Sequence, residues 1–162
     1  MARAATDAET RAASDDHGAI RLWLRMLATQ RLVETRTRRL LQERYATTLP
    51  RFDLMAQLER FPKGLRMSEL SKRMMVTGGN ITGITDMLEQ EGLVERVADP
   101  ADRRARLVRL RPGGRRAFAA MAAEHERWIV EAFGALSRRE MAAFAGLLAR
   151  LKTHVRSLEG GT

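Results

Sequence analysis

The residues of this chain that are best suited to chemistry are cationic side chains. Its 162 residues include 29 Lys or Arg against 20 Asp or Glu, which leaves a net charge of +9 and a pI of about 11.3. Such an excess favours a polyanionic partner, nucleic acid above all. The alternative is an arginine-rich composition that only decorates solvated faces, so the position of the charges along the chain must decide.

The charge is densest between Asp99 and Arg116, where seven arginines and two aspartates give a net charge of +5. Apolar alternation at 93–97 and 106–110 predicts two strands, and Asp-Pro within the connecting residues 98–105 predicts a hairpin with a charged tip. Such a hairpin is either a solvated face or a wing that reaches a DNA minor groove. For the wing, the candidate contacts are Arg103, Arg104 and Arg106, with Asp102 orienting the arginines.

A helical pattern directly before the hairpin runs from a Thr77 cap to Gln90 or Glu91 and stops at Gly92. Its apolar stripe is Ile81, Ile84 and Leu88. The opposite face carries two glycines, each costing about 1 kcal/mol relative to Ala, which a close approach to DNA would offset. The candidate base-contacting and backbone-approach residues are Gly79, Asn80, Thr82 and Gly83. Asn suits adenine and the Thr methyl suits thymine; a loose turn at 77–80 is the alternative.

A shorter helix from Ser68 to Met74 or Met75 precedes this one, so the pair forms a helix-turn-helix. DNA contacts are expected from its polar side and from the start of the next helix. These residues are Ser68, Lys72, Arg73 and Thr77.

Long apolar helical patterns flank this central unit. The segment 20–45 contains neither Gly nor Pro, a Pro50-led helix follows, and after Pro112-Gly113-Gly114 two more helices are predicted, the second opening on a capping box at Ser137. We expect a mainly α fold with a small β wing: a winged helix-turn-helix at about 48–111 within one domain, 18–162. Dimerisation helices at about 20–45 and 113–158 would bury their surplus apolar faces against a second copy, and residues 1–17 form a lead-in.

Several classes of function are disfavoured by what the sequence lacks. There is no Cys, and the three histidines lie in different segments without metal-ligand spacing. We find no phosphate loop or nucleophile elbow. We therefore expect no enzyme, cofactor, metal or membrane span, and a cytoplasmic protein.

Residues 67–96 (MSELSKRMMVTGGNITGITDMLEQEGLVER), followed by 99–104 (DPADRR), resemble the winged helix-turn-helix of the multiple-antibiotic-resistance regulator (MarR) family. The order of elements extends the resemblance to about 20–158. It implies a homodimeric, ligand-responsive transcription regulator in which Arg104 is the wing arginine and Asp102 its acidic partner. Repression is the expected sign of regulation, although the same geometry can activate. Two positions depart from the family pattern: Gly83 stands where many members have Arg, and Arg111 where Thr usually caps the next helix.

The resemblance also implies an effector cleft between the dimer helices and the winged unit. Candidate lining residues are Trp23, Met26, Arg36, Arg39, Phe52 and Met55. Between Arg31 and Arg44 the first helix has a net charge of +3, which suits either an anion site or arginines paired with nearby acids. The run MMVTGGNITG looks like the branch that controls breakdown of aromatic plant acids, so the implied effector is an aromatic carboxylate or its acyl-CoA thioester. Rival functions are a non-sensing architectural DNA binder and a winged-helix protein-interaction module.

Overall fold

The computed structural model describes residues 17–160, and within them the chain is mainly helical with one small sheet. The elements in chain order are α1 (Gly18–Tyr45), α2 (Leu49–Arg60), β1 (Leu65–Arg66), α3 (Met67–Met74), α4 (Gly78–Gln90), β2 (Val94–Asp99), β3 (Asp102–Leu110), α5 (Pro112–Ala132) and α6 (Arg138–Glu159). The chain divides into two compact units, the first ending at His125 and the second beginning at Glu126. The predicted fold class, mainly α with a small β wing, is confirmed.

The core of the first unit lies where α2, α3 and α4 pack together and against the sheet. The apolar side chains buried there share almost complete loss of solvent contact, and among them are Leu54, Leu58, Leu70, Ile81, Leu88, Val94 and Val108. Each such side chain contributes about 1.5–3 kcal/mol on burial. This core therefore holds the helix-turn-helix and the hairpin as one body.

Helix α1 has 28 residues, a length of about 42 Å at 1.5 Å per residue. Only its C-terminal half enters the core, through Thr37, Leu40 and Leu41. At its other end Ile20, Leu22 and Trp23 are at least half exposed. The first unit thus covers one end of this helix and leaves apolar surface at the other.

The sheet is antiparallel with the strand order β1-β3-β2. Its hairpin is tighter than predicted, because the strands reach Asp99 and start again at Asp102 and only Pro100 and Ala101 connect them. The expected connection over 98–105 was wrong: a two-stranded ribbon is held by backbone hydrogen bonds, so charged residues can extend it without an apolar alternation. The sequence did not predict strand β1, because two residues are too few to show the apolar alternation of a strand.

The inner face of α4 differs from the expected stripe by one residue. Ile81, Thr85 and Leu88 are fully buried, whereas Ile84 is only partly so. Thr85 is tolerated inside because its hydroxyl donates to the Ile81 carbonyl oxygen at 2.7 Å, which satisfies the polar group within the helix.

Helix α5 begins at Pro112, so the two glycines lie inside its first turn rather than before it. Pro suits a first helical position because its missing N–H would have no partner there. A Cβ on Gly114 would lie 2.0 Å from the Leu93 carbonyl oxygen, the same oxygen that accepts the Arg111 N–H at 2.9 Å. Glycine at 114 therefore allows the end of the hairpin to pass directly over the helix.

The second unit contains α6, whose predicted capping box is confirmed. The Ser137 hydroxyl accepts the Glu140 N–H at 3.3 Å, and the Glu140 carboxylate accepts the Ser137 N–H at 2.8 Å. The Ser137 hydroxyl and N–H hold the pKa of Glu140 below its usual value. Along the helix lies a stripe of apolar side chains that are between 37% and 65% exposed: Met141, Phe144, Leu147, Leu148, Leu151, Val155 and Leu158.

Within residues 17–160, no helix is both long and apolar enough to traverse a lipid bilayer.

Candidate nucleic-acid interface

The outer face of α4 is open. Gly79, Asn80, Thr82 and Gly83 are all exposed, and a Cβ added at either glycine would meet no atom of the described residues within 4 Å. The Thr82 hydroxyl donates to the Gly78 carbonyl oxygen at 3.0 Å. These four residues thus add little side-chain bulk to the helix, and a large partner can approach the helix backbone closely here.

The start of α4 presents free backbone donors. Thr77 occupies the N-cap position of the helix with extended backbone, as predicted, but its side chain makes no capping hydrogen bond. The first N–H of the helix that donates to a backbone carbonyl is that of Ile81, which donates to the Thr77 carbonyl oxygen at 3.2 Å. Uncapped N–H groups and the positive end of the helix dipole favour an anion at this end.

The polar side of α3 carries the remaining predicted contacts of the helix-turn-helix. Ser68, Lys72 and Arg73 are exposed. The guanidinium carbon of Arg73 lies 4.2 Å from the centroid of the Phe61 ring, a cation–π contact that orients the side chain and leaves its charge intact. Between α3 and α4, Met75 adopts a left-handed backbone with φ 53° and is 94% exposed.

An arginine on β2 ties α4 to the sheet. The Arg96 guanidinium binds Asp86 at 2.5 Å and also Glu89, and the Arg96 N–H donates to Glu89 at 3.1 Å. Asp86 is partly exposed on α4. Its ion pair with Arg96 was not foreseen because nothing in the sequence pairs these positions before the hairpin is folded back.

At the hairpin tip, the Asp102 carboxylate accepts the Arg104 N–H at 3.0 Å. The predicted partnership of these two residues therefore runs through the backbone of Arg104. Arg104 and Arg106 are exposed and make no ion pair within the described part of the chain. The side chain of Arg103 lies outside the described residues.

Further from the tip, the charges of the hairpin are compensated. Glu95 accepts from Arg109 at 2.8 Å and from Arg111 at 3.4 Å, and the hydrogen bond from Arg109 is the main reason why the pKa of Glu95 is lowered. The positive charge available to a partner is thus concentrated at the tip, on the side that follows Asp102.

A second feature of the first unit is a cleft of about 490 Å³ beside α2, α3 and α5. It is lined by Phe52, Asp53, Ala56, Gln57, Arg60, Arg73, Met74, Phe118, Ala122 and His125. The Phe52 ring lies 5.4 Å from Phe118 and 4.9 Å from His125, centroid to centroid. Burial lowers the pKa of His125, and the Asp53 carboxylate opposes this shift.

Of the six predicted effector contacts, Phe52 alone is among the residues that line this cleft. Met55 belongs to the core, Trp23 is 56% exposed on α1, and Arg39 binds Glu43 at 2.9 Å. Met26 and Arg36 are partly exposed, also on α1. The structure thus does not bring the predicted set together.

The arginines of α1 are largely paired with acids. Arg38 binds Glu34 at 2.5 Å, and Arg44 binds Glu124 at 3.3 Å, as Arg39 binds Glu43. This is the alternative that the sequence left open beside an anion site. No group of three or more potential ligands that would hold a metal ion is found among residues 17–160.

Comparison with known proteins points to one family. The MarR family model matches residues 47–105, which span α2 to the wing. The HTH-type transcriptional regulator YsmB of Bacillus subtilis is 29% identical over 121 residues, covering 75% of this chain and 82% of that protein. The name of this relative describes a transcriptional regulator, the class of protein that the sequence predicts.

Solved structures agree on the fold. Apo MarR of Escherichia coli superposes with a TM-score of 0.71 at 23% identity, covering 80% of this chain and 96% of that one. Sco3205 of Streptomyces coelicolor, a MarR family regulator solved in complex with DNA, gives a TM-score of 0.71 at 22% identity, covering 81% and 83%. The family model thus matches the segment from α2 to the wing, and the solved structures show that this chain has the fold of MarR family regulators.

Proposed function

We propose that the chain is a homodimeric, ligand-responsive transcription regulator that binds a near-palindromic operator and represses until an effector releases it. The supporting observation is that the open face of α4, with its uncapped N-terminus, and the arginines of the hairpin tip belong to one rigidly cored unit. Helix α4 enters the major groove, where Asn80 and Thr82 meet base edges. Arg104 reaches the adjacent minor groove or its phosphates.

The second copy is argued from uncovered apolar surface. The stripe of α6, seven large apolar side chains on one face of a 22-residue helix, is exposed in the single chain, and so is the N-terminal part of α1. An exposed, contiguous apolar face of this size indicates a surface that binds another molecule. A twofold dimer would set two α4 helices about 34 Å apart, one turn of DNA.

The effector is assigned to the cleft beside α2, α3 and α5. Its volume suits a small aromatic molecule; Phe52 and Phe118 supply apolar walls, and Arg60 and Arg73 supply charge for a carboxylate. An aromatic carboxylate, free or as the acyl group of a CoA thioester, fits this chemistry. Because Arg73 and Met74 belong to α3, occupation of the cleft favours a different placement of the helix-turn-helix and so weakens DNA binding.

DNA binding is tested by anisotropy titrations of a labelled duplex from the chain's own upstream region against a random duplex. We expect the upstream duplex to bind about 10³-fold or more tightly. Arg104→Gln should weaken binding to both and reduce the salt slope by about one counterion per subunit, whereas Asn80→Ala should mainly reduce the preference between them.

Equal affinity for the two duplexes would instead identify an architectural binder. Absence of binding to either would favour the protein-interaction module. Unchanged selectivity in Asn80→Ala together with unchanged affinity in Arg104→Gln would contradict the assigned contacts.

Gly83 offers a variant in which stability and DNA affinity move in opposite directions. Gly83→Ala should raise the free energy of unfolding by up to about 1 kcal/mol because Ala favours an exposed helix. The same methyl should weaken operator binding by obstructing close approach of the DNA. Gly146→Ala, on the exposed side of α6 opposite the apolar stripe, is the matched control and should stabilise without changing DNA affinity. Equal operator affinity in both variants would show that α4 does not approach DNA at Gly83.

The dimer is tested by a charge on the α6 stripe. Leu151→Glu should produce monomers at micromolar concentration, because two buried carboxylates would face the interface without partners. Thr153→Glu adds the same charge to the opposite side of the helix and should leave the mass unchanged. Sedimentation equilibrium provides the measurement, and a Leu151→Glu protein that keeps the wild-type mass would place the interface elsewhere.

The effector site is tested by calorimetry with an aromatic carboxylic acid and with its CoA thioester. Arg60→Gln should weaken binding of whichever compound binds by about tenfold through loss of a charge-assisted contact. Lys63→Gln removes an equal charge just beyond α2, outside the residues that line the cleft, and should bind like wild type. If neither compound releases heat with the wild-type protein, this effector class is excluded.

A further inference from the structure

Arg66 links the helix-turn-helix to the tip of the hairpin. It is the last residue of β1 and directly precedes α3. Its backbone N–H donates to the Glu69 carboxylate at 2.9 Å, and its strand pairs with β3 at Leu107. The backbone of Arg66 is thus held from both sides, so its side chain starts from a fixed point.

The guanidinium of Arg66 reaches the two carboxylates that flank the hairpin turn. Its Nε and Nη2 atoms lie 2.8 Å and 2.5 Å from Oδ2 of Asp99, and Nη1 lies 3.8 Å from Oδ2 of Asp102. Asp99 is only 7% exposed. A charge-assisted contact to a shielded carboxylate is stronger and more directional than a surface ion pair.

Each aspartate uses its other oxygen to build the turn. Oδ1 of Asp99 accepts the Ala101 N–H at 2.9 Å, and Oδ1 of Asp102 accepts the Arg104 N–H at 3.0 Å. The Ala101 N–H, followed by Arg66, holds the pKa of Asp99 below its usual value, so it stays a carboxylate at neutral pH. A continuous chain of polar contacts therefore leads from the start of α3 to the backbone of Arg104.

We propose that Arg66 is a positioning residue for DNA recognition, which acts by holding the hairpin tip, and with it Arg104, at a fixed place relative to α3 and α4. The inference rests on the proposed function, in which α4 and Arg104 touch neighbouring grooves. Two contacts on one rigid duplex bind best when their separation is set in advance. Arg66 supplies that constraint and need not touch DNA.

Loss of Arg66 would also leave two carboxylates at the tip without their main cation. Asp99 and Asp102 would then attract arginines of the hairpin itself, because Arg104 and Arg106 lie on the same strand as Asp102. Arg104 would turn toward the protein instead of toward DNA. Removal of Arg66 therefore acts on the same contact as removal of Arg104.

A double-mutant cycle separates positioning from simple loss of charge. Operator affinity is measured by anisotropy for Arg66→Gln, Arg104→Gln and the double variant, on a duplex selected by the wild-type protein from a random pool. We expect each single variant to bind about tenfold more weakly and the double variant to bind no more weakly than Arg104→Gln, since coupled residues are not additive. Additive losses would overturn the proposal.

Arg109→Gln is the matched control, because it removes the same charge from the same sheet at the exposed pair with Glu95. It should cost much less affinity than Arg66→Gln, and equal costs would also overturn the proposal. Arg66→Lys, which keeps the charge and one donor toward Asp99, should recover part of the affinity. If circular dichroism shows that Arg66→Gln does not fold, Arg66→Lys takes its place in the cycle. The expected result is then a loss of operator affinity that vanishes in the Arg104→Gln background.

The proposed function and this inference fail differently. If Arg104→Gln binds like wild type, the wing contact in the proposed function is wrong and the inference falls with it. If Arg104→Gln loses affinity and Arg66→Gln does not, only the role of Arg66 is wrong.

Discussion

The structure depends first on the apolar contact between the inner face of α4 and the layer formed by α2, α3 and the sheet. Ile81 and Leu88 are completely buried there, against a core that includes Leu58, Leu70 and Val108. Close-packed side chains of this kind do not deform continuously. The outer face of α4 is therefore presented in one orientation, and the exposed residues Asn80, Thr82 and Gly83 take no part in this packing.

Directional polar contacts refine what the apolar core cannot specify. Apolar burial is non-directional, whereas Arg96 binds two carboxylates spaced three residues apart on α4, and Arg66 binds two carboxylates on either side of the turn. Both arginines leave from strands and both acceptors lie on elements at the candidate interface. The arginines of the chain thus have two roles: some form ion pairs that hold elements of the fold together, and others leave positive charge exposed at the hairpin tip.

Sequence reasoning succeeded where a local rule applies. Periodicity and absence of Gly and Pro predicted the long helices, the spacing of Ser137 and Glu140 predicted the start of α6, and the change to strand alternation predicted the hairpin. It failed where the outcome depends on contacts distant in sequence: the two-residue strand β1, the extension of the hairpin to Asp99 and Asp102, and the ties made by Arg66 and Arg96. Residue type likewise says that Phe52 and Trp23 are apolar, but not that Phe52 is buried beside Phe118 and His125 while Trp23 is 56% exposed.

The separation of the two faces of α4 has an evolutionary consequence. Residues such as Asn80, Thr82 and Gly83 lie outside the core and outside the ion pairs of the two arginines, so they can be exchanged without repacking the core. A lineage of such proteins can therefore drift toward new target sequences by single steps, each tolerated by the scaffold, while duplicated copies lose cross-recognition before they lose foldability.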